Sequence, residues 1–172
     1  MTDEWAEGGL WKSTADSVTF GDKSQIHHIF KQPTIAVFHT RFFWMVLPKT
    51  LSKKLKKIIG AKSWGPFAFV DCARRAELPD LTFVLAGRKF LLTPYDYIVE
   101  QNESGRISCL SSFWAGFEND GVIFLGSAFL KAWATVWDWE HGTIECECLD
   151  LRDCANQSNL ATREVTKAVH II

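Results

Sequence analysis

The chain has 172 residues, of which 47% are hydrophobic and 23% charged, and its 19 basic residues nearly balance 20 acidic ones. This composition is ordinary for one folded domain and argues against disorder, while a formal net charge of −1 gives no electrostatic case for binding nucleic acid. No apolar run approaches the roughly 18 residues of a membrane span. The first residues, MTDEWAEGGLWK, lack the basic start and apolar core of a signal peptide.

The first half of the chain predicts two strands and one helix. Residues 16–22 alternate apolar and polar side chains and close on a Gly-Asp pair, so they predict a strand that enters a turn. Residues 34–38 predict a short apolar strand. Residues 48–60 predict a helix, because apolar residues recur at helical spacing and a glycine ends the run. Its five lysines lie mostly on the other face, where a solvated surface is favoured over a patch for a membrane or an anionic partner.

The second half predicts many short strands. They are expected at residues 67–71, 81–86, 89–92, 97–100, 106–110, 122–125 and 135–138, with a hairpin at 86–88 and one helical turn within 128–133. Short strands with one clear helix indicate a mainly β, mostly antiparallel domain. Residues 145–172 show no sustained alternation and predict a weak helix or a poorly packed tail.

The cysteines and histidines do not predict a metal site. The five cysteines are Cys72, Cys109, Cys146, Cys148 and Cys154. The last three lack a fourth ligand at a spacing suitable for zinc. The pair His27-His28 falls in an apparent loop before a strand, and the sequence places no carboxylate or thiol beside this pair or His39. We therefore expect neither a metal nor a cofactor.

A series of motifs stands in a recognisable order. They are Trp11 with Asp16–Asp22, Phe69-Val-Asp-Cys72, Leu78-Pro-Asp-Leu-Thr-Phe83, Pro94-Tyr-Asp-Tyr-Ile98, Ser108-Cys-Leu110, Val122-Ile-Phe-Leu-Gly126 and Thr135-Val-Trp-Asp138. Each is weak alone, but the ordered set resembles the C-terminal lobe of the pepsin-like aspartic proteases, close to the vacuolar and cathepsin D-like branch. The resemblance implies one β lobe at 9–144, after an N-terminal extension at 1–8 and before a divergent tail at 145–172. It also implies endopeptidase chemistry at acid pH on peptide or protein substrates.

By the same resemblance, the catalytic Asp-Thr-Gly of this lobe falls on His39, Thr40 and Arg41. Two small hydroxyl residues usually follow, and Phe42 and Phe43 stand there instead. The family's chemistry needs two carboxylates, one from each lobe, which share a proton and hold a water between them. A histidine carries positive charge when protonated and offers one acceptor nitrogen when neutral. Arginine in place of glycine is expected to obstruct the close approach of another lobe. We therefore expect a degenerate, inactive site.

The sequence leaves three functional readings open. The resemblance implies an N-terminal lobe with a second Asp-Thr-Gly, and neither appears here. The chain is expected to be an inactive member or fragment of the endopeptidase family, or alternatively a non-catalytic module that binds peptides or proteins. As a remnant, it would self-associate through the lobe interface near Phe42, Phe43 and Trp44. An active enzyme would need an aspartate-bearing partner and a working role for His39.

Two further features depend on the compartment, which the sequence does not decide. Cys72 and Cys109 match the positions of a family disulfide, expected if the chain is exported, and are otherwise buried thiols. Asn102 in a predicted hairpin loop, and Asn156 in the tail, begin glycosylation sequons that matter only in the secretory pathway. The family favours secretory, vacuolar or extracellular destinations, whereas this N-terminus predicts no signal peptide.

Overall fold

The computed structural model describes residues 10–21, 26–116, 118, 121–141, 143–148 and 166–170. Its elements are β1 (Trp11–Phe20), β2 (Ile26–Phe38), β3 (Met45–Leu47), α1 (Lys49–Ile58), β4 (Lys62–Trp64), β5 (Phe67–Val70), a 3-10 helix (Cys72–Glu77), β6 (Leu81–Leu85), β7 (Arg88–Leu92), α2 (Pro94–Tyr97), β8 (Ile98–Glu103), β9 (Arg106–Ser111), β10 (Phe113–Ala115), β11 (Val122–Leu125), α3 (Ser127–Leu130), β12 (Trp133–Asp138), β13 (Thr143–Cys148) and β14 (Thr166–His170). The predicted mainly β fold class is confirmed. No helix among these elements has the length and apolar character needed to cross a bilayer.

A seven-stranded sheet carries the site. Its strand order is β10-β3-β11-β2-β1-β6-β7, and two smaller sheets, β12-β13-β14 and β4-β5-β9-β8, complete the described strands. β11 lies between β2 and β3, parallel to the first and antiparallel to the second. The chain therefore leaves the end of β2 and passes around the end of β11 before it can pair as β3. This places residues 39–44 at the carboxyl ends of two adjacent parallel strands.

Local sequence explains the predicted hairpin and helix. The β6–β7 turn uses Ala86 and Gly87, both with positive φ, at 47° and 74°, as a two-residue hairpin turn requires. The carboxylate of Asp16 on β1 accepts the Gly87 N–H at 2.7 Å and holds this turn against the sheet. In α1, Leu51 and Leu55 are buried while Lys53 and Lys54 are exposed, so one apolar stripe fixes the helix on the sheet.

Aromatic side chains fill much of the core. Phe129 of α3 contacts the rings of Phe38, Phe83 and Phe90, with centroid distances of 6.1, 5.6 and 5.7 Å. All four are buried. Burying one such side chain contributes on the order of 1.5–3 kcal/mol. A four-residue helix has little stability of its own, so the contacts of Phe129 hold α3 in place.

Two predictions from the sequence differ from the structure. His27 and His28 lie in β2, not in a loop, because β1 continues far enough to pair Thr19 with His27 and Val18 with His28. The boundary drawn after residue 144 falls inside β13, which pairs with β12 and with β14. Ile144 and Cys146 are buried on either side of Glu145, so a strand alternation continues past residue 144. The extension at 1–8, Cys154 and Asn156 lie outside the described residues.

Candidate functional site

The turn after β2 carries His39, Thr40 and Arg41, the residues to which the sequence assigns the motif. The His39 N–H donates to the carbonyl of Leu125 at the end of β11, at 3.0 Å. Thr40 and Arg41 then form the turn, and both are exposed. The structure thus keeps these three residues together where two parallel strands end.

The His39 side chain is committed to the turn itself. Its Nδ1 accepts the backbone N–H of Arg41 at 3.2 Å, and its ring lies 4.2 Å from the ring of Phe42. A neutral imidazole that accepts at Nδ1 carries its proton on Nε2. In this tautomer the Nδ1 lone pair is used within the turn.

Arg41 does not need a glycine's backbone. Among the described residues other than glycine, only Ala86 and Ser104 have positive φ, so Arg41 adopts a conformation open to any side chain. Its exposed side chain meets no crowding from the described residues. The Arg41 side chain would therefore obstruct another surface brought against the turn, and not the fold of this chain. Arg41 also adds a positive charge beside His39.

Three carbonyl groups of the next segment bind the start of α3. The N–H groups of Gly126, Ser127 and Ala128 donate to the carbonyls of Trp44, Phe42 and Phe43, at 3.1, 2.9 and 3.0 Å. The first N–H groups of a helix have no partner within the helix. Here the chain itself satisfies them, so they are not available to an anionic ligand.

Gly126 permits this contact by its lack of a side chain. A Cβ atom there would lie 2.4 Å from the Trp44 carbonyl oxygen and 2.5 Å from that of Phe42. Its φ of −81° is open to other residues, so close approach alone explains the glycine. The sequence contained this signal in the Val122–Gly126 motif, but not the identity of the backbone atoms that it meets.

Partly exposed rings lie at and beside the turn, and we call them the aromatic surface: Phe42, Phe43, Trp44, Phe67 and Trp114. Trp44 is at its centre, with ring centroid distances of 5.1 Å to Phe43, 5.8 Å to Phe67 and 5.1 Å to Trp114. None of the five is buried. The sequence drew attention to Phe42, Phe43 and Trp44, but missed Phe67 and Trp114, which remote strands bring to the same place.

Other candidate groups lie apart from this turn. His27 is near the start of β2 and His39 follows its end, so the strand separates them. No group of three metal-ligating side chains was found among the described residues. Asp71 and Asp96 accept backbone N–H groups of Ala73 and Thr93 at local turns. Hydrogen bonds from His141, its backbone N–H foremost, lower the pKa of Asp138.

The cysteine pair and the sequon have defined positions. Cys72 and Cys109 are joined by a disulfide, with their Cα atoms 5.3 Å apart, which ties the 3-10 helix to β9. Asn102 is exposed on the β8–β9 hairpin, and its side-chain oxygen accepts the Gly105 N–H at 3.0 Å. Glycosylation of Asn102 stays a prediction.

Comparison with known proteins identifies the family. The profile described as eukaryotic aspartyl protease matches residues 2–147. Vacuolar protease A of Aspergillus fumigatus is 36% identical over 140 residues, covering 78% of this chain and 33% of that protein. Vacuolar aspartic protease of Candida albicans is 34% identical over 139 residues, covering 78% and 31%. Cathepsin D of Dictyostelium discoideum is 41% identical over 76 residues, covering 44% and 20%.

The chain spans about a third of the length of the first two relatives. The matches cover the β lobe that contains the turn after β2. They also agree with the branch indicated by the motifs. The chain therefore belongs to the eukaryotic aspartyl protease family, in its vacuolar and cathepsin D-like branch.

Proposed function

We propose that this chain is a non-catalytic lobe of the aspartyl protease family that binds polypeptide through the aromatic surface. The observation that carries the proposal is the hydrogen bond from the Arg41 N–H to Nδ1 of His39. In this turn a histidine ring stands where the family's chemistry needs a carboxylate, and the ring accepts a backbone N–H of the turn.

The chemistry of an aspartic protease explains why this loss matters. Two carboxylates in contact cannot both ionise, so they share one proton and can act as base and acid on the same water. Whatever lobe faces the turn, His39 brings no carboxylate to the pair. Its Nδ1 instead accepts the Arg41 N–H, so this turn supplies no carboxyl group to share a proton over the water.

The charge at the turn supports the same conclusion. Family catalysis works with one negative charge shared by two carboxyl groups. Arg41 adds a positively charged guanidinium to the turn. Thr40 retains its hydroxyl, but a threonine without an adjacent base is a weak nucleophile. Hydrolysis by the family's mechanism is therefore not expected of this lobe.

The aromatic surface supports binding. Contiguous exposed apolar patches on folded domains commonly mark sites of interaction. Trp44 and Trp114 offer large, rigid rings of the kind that dominate binding energies in protein interfaces. They lie beside the turn where the family places its chemistry, so an extended peptide or a partner protein is the favoured ligand.

Self-association is a second candidate. β10 is an edge strand of the seven-stranded sheet, and it carries Trp114. An edge strand presents unpaired backbone groups to another chain. Two copies of this protein could therefore cover their aromatic surfaces and pair their edges at once.

A peptide-cleavage assay tests the absence of catalysis. The full chain is incubated at acid pH with an internally quenched peptide, with and without pepstatin, beside the H39A variant. We expect no pepstatin-sensitive cleavage from either protein. Cleavage by the natural sequence that H39A removes would overturn the proposal, because His39 would then have a working role.

Sedimentation velocity and peptide binding test the surface. We expect saturable binding of unfolded polypeptide or concentration-dependent association, each weakened in W44A/W114A. W139A is the matched control, because Trp139 is 75% exposed and its ring contacts Trp11 rather than the rings around Trp44. A chain that stays monomeric and binds no polypeptide, or one in which W139A weakens binding as much, contradicts the assignment.

A further inference from the structure

A groove of about 630 Å³ lies between α1 and the first residues of β2, away from the turn that carries His39. The helix side of the groove includes Leu51, Lys54, Lys57 and Ile58. Residues three or four apart on a helix lie on one face, so these side chains form one stripe along α1. Ile26 and His27 line the opposite wall.

The rim of the groove is basic. Lys54 and Lys57 are exposed, and they stand three residues apart, where like charges repel. No ion pair joins either lysine to a carboxylate in the part of the chain that the structure describes, whereas Lys49 of the same helix pairs with Glu118. None of the described lining residues is acidic, so an anion would meet two uncompensated ammonium groups.

The strand wall adds a polar group to the same rim. Nδ1 of His27 shares a hydrogen bond of 2.9 Å with the Thr19 hydroxyl. Nε2 is therefore the ring nitrogen left for a ligand. The exposed imidazole stands across from the lysine stripe.

The floor of the groove is apolar. Ile26 and Leu51 are buried, and Ile58 is 37% exposed. A small inorganic ion would meet the ammonium groups but leave the exposed part of Ile58 in contact with water. A ligand with a short hydrocarbon chain would cover it.

We propose that this groove binds a small amphipathic anion, with its carboxylate at Lys54 and Lys57 and its hydrocarbon chain against Ile26, Leu51 and Ile58. The chemical class is that of a medium-chain alkyl carboxylate. The site is independent of the proposed polypeptide surface and of any catalysis.

Calorimetric titration of the full chain with octanoate tests the site. Octanamide and acetate are titrated as controls, since octanamide lacks the negative charge of octanoate and acetate lacks its long hydrocarbon chain. Octanoate binding is expected to weaken about tenfold in K54Q/K57Q, because two facing charges are lost. K53Q is the matched control, since Lys53 is exposed on the same helix but outside the groove. Urea midpoints of the variants verify that they fold alike.

The outcomes separate cleanly. Octanoate binding that exceeds both octanamide and acetate binding, falls in K54Q/K57Q and is kept in K53Q supports the site. Absent octanoate binding overturns it. Equal binding of octanamide also overturns it, because the negative charge would then make no difference. An equal loss in K53Q overturns it too, because binding would then not depend on the lysines of this groove.

Discussion

Nδ1 of His39 accepts the N–H of Arg41, two residues further along the chain, at 3.2 Å. Aspartate and asparagine side chains make the same kind of bond to the backbone two residues on. The imidazole of His39 therefore serves here as the acceptor that shapes the turn.

Replacing His39 should test this role of the imidazole. We expect H39A to lower the free energy of unfolding by about 0.5–1.5 kcal/mol, since the Arg41 N–H loses its partner at a half-exposed site. H39D and H39N can still accept this bond and should stay close to the natural sequence. Urea unfolding near neutral pH measures the difference. An H39A variant as stable as H39D would mean that the bond contributes nothing to the fold.

Gly126 should be intolerant of a methyl group. In G126A the Cβ would lie within 2.9 Å of three backbone atoms of residues 42–44, so α3 or that segment must shift. We expect a loss of about 1–3 kcal/mol or more. G87A is the control, because a Cβ there meets open space and only the φ of +74° opposes it, at about 1–2 kcal/mol. A G126A variant that loses no more thermal stability than G87A would refute the close-contact explanation.

The sequence predicted best those elements that local patterns determine. α1 follows from apolar residues at helical spacing, and the turn at Ala86 and Gly87 follows from hairpin chemistry. The three-residue strands β3 and β10 were not predicted, because each exists only through pairing with a remote partner. A window of three residues carries no period that could reveal them.

The resemblance assigns the catalytic motif to His39, Thr40 and Arg41 by order along the chain, and this assignment stays a prediction. It could not give the bond between His39 and the Arg41 backbone, because histidine is not the usual acceptor in such turns. Trp114 stands 70 residues after Trp44 in the sequence, and the parallel pairing of β10 with β3 brings the two rings to one surface.

The disulfide should stabilise the lobe substantially. Cys72 and Cys109 close a loop with a sequence separation of 37 residues, for which the chain-entropy account gives about 3–4 kcal/mol. We expect C72S/C109S to lower the free energy of unfolding by roughly 2–4 kcal/mol. Dithiothreitol should lower the free energy of unfolding of the natural sequence by a similar amount and leave that of the double variant unchanged. If the reductant does not change the stability of the natural sequence, the disulfide contributes no stability.

Tyr97 should make the fold sensitive to alkali. Burial first, and the charge of Asp80 second, raise the pKa of its hydroxyl above the ordinary range. The hydroxyl donates to the Pro79 carbonyl at 2.6 Å, and the ring stacks on Phe113 with centroids 5.3 Å apart. Ionisation in place would remove that bond and bury a charge. The folded chain therefore keeps its proton at a pH where the unfolded chain, with a pKa of about 10, gives it up.

The higher pKa of Tyr97 in the folded state determines how stability changes with pH. The contribution of Tyr97 to stability is complete below pH about 10 and falls by about 1.4 kcal/mol per pH unit above it, because the unfolded state then binds fewer protons. Y97F lacks the hydrogen bond to Pro79, so its free energy of unfolding should be about 1 kcal/mol lower near neutral pH. In alkali this difference should shrink or reverse, because phenylalanine has no proton to lose on unfolding. Y95F is the control, since Tyr95 is 56% exposed. Urea midpoints from pH 7 to 11 measure all three proteins, and parallel curves for Y97F and the natural sequence would contradict the assignment.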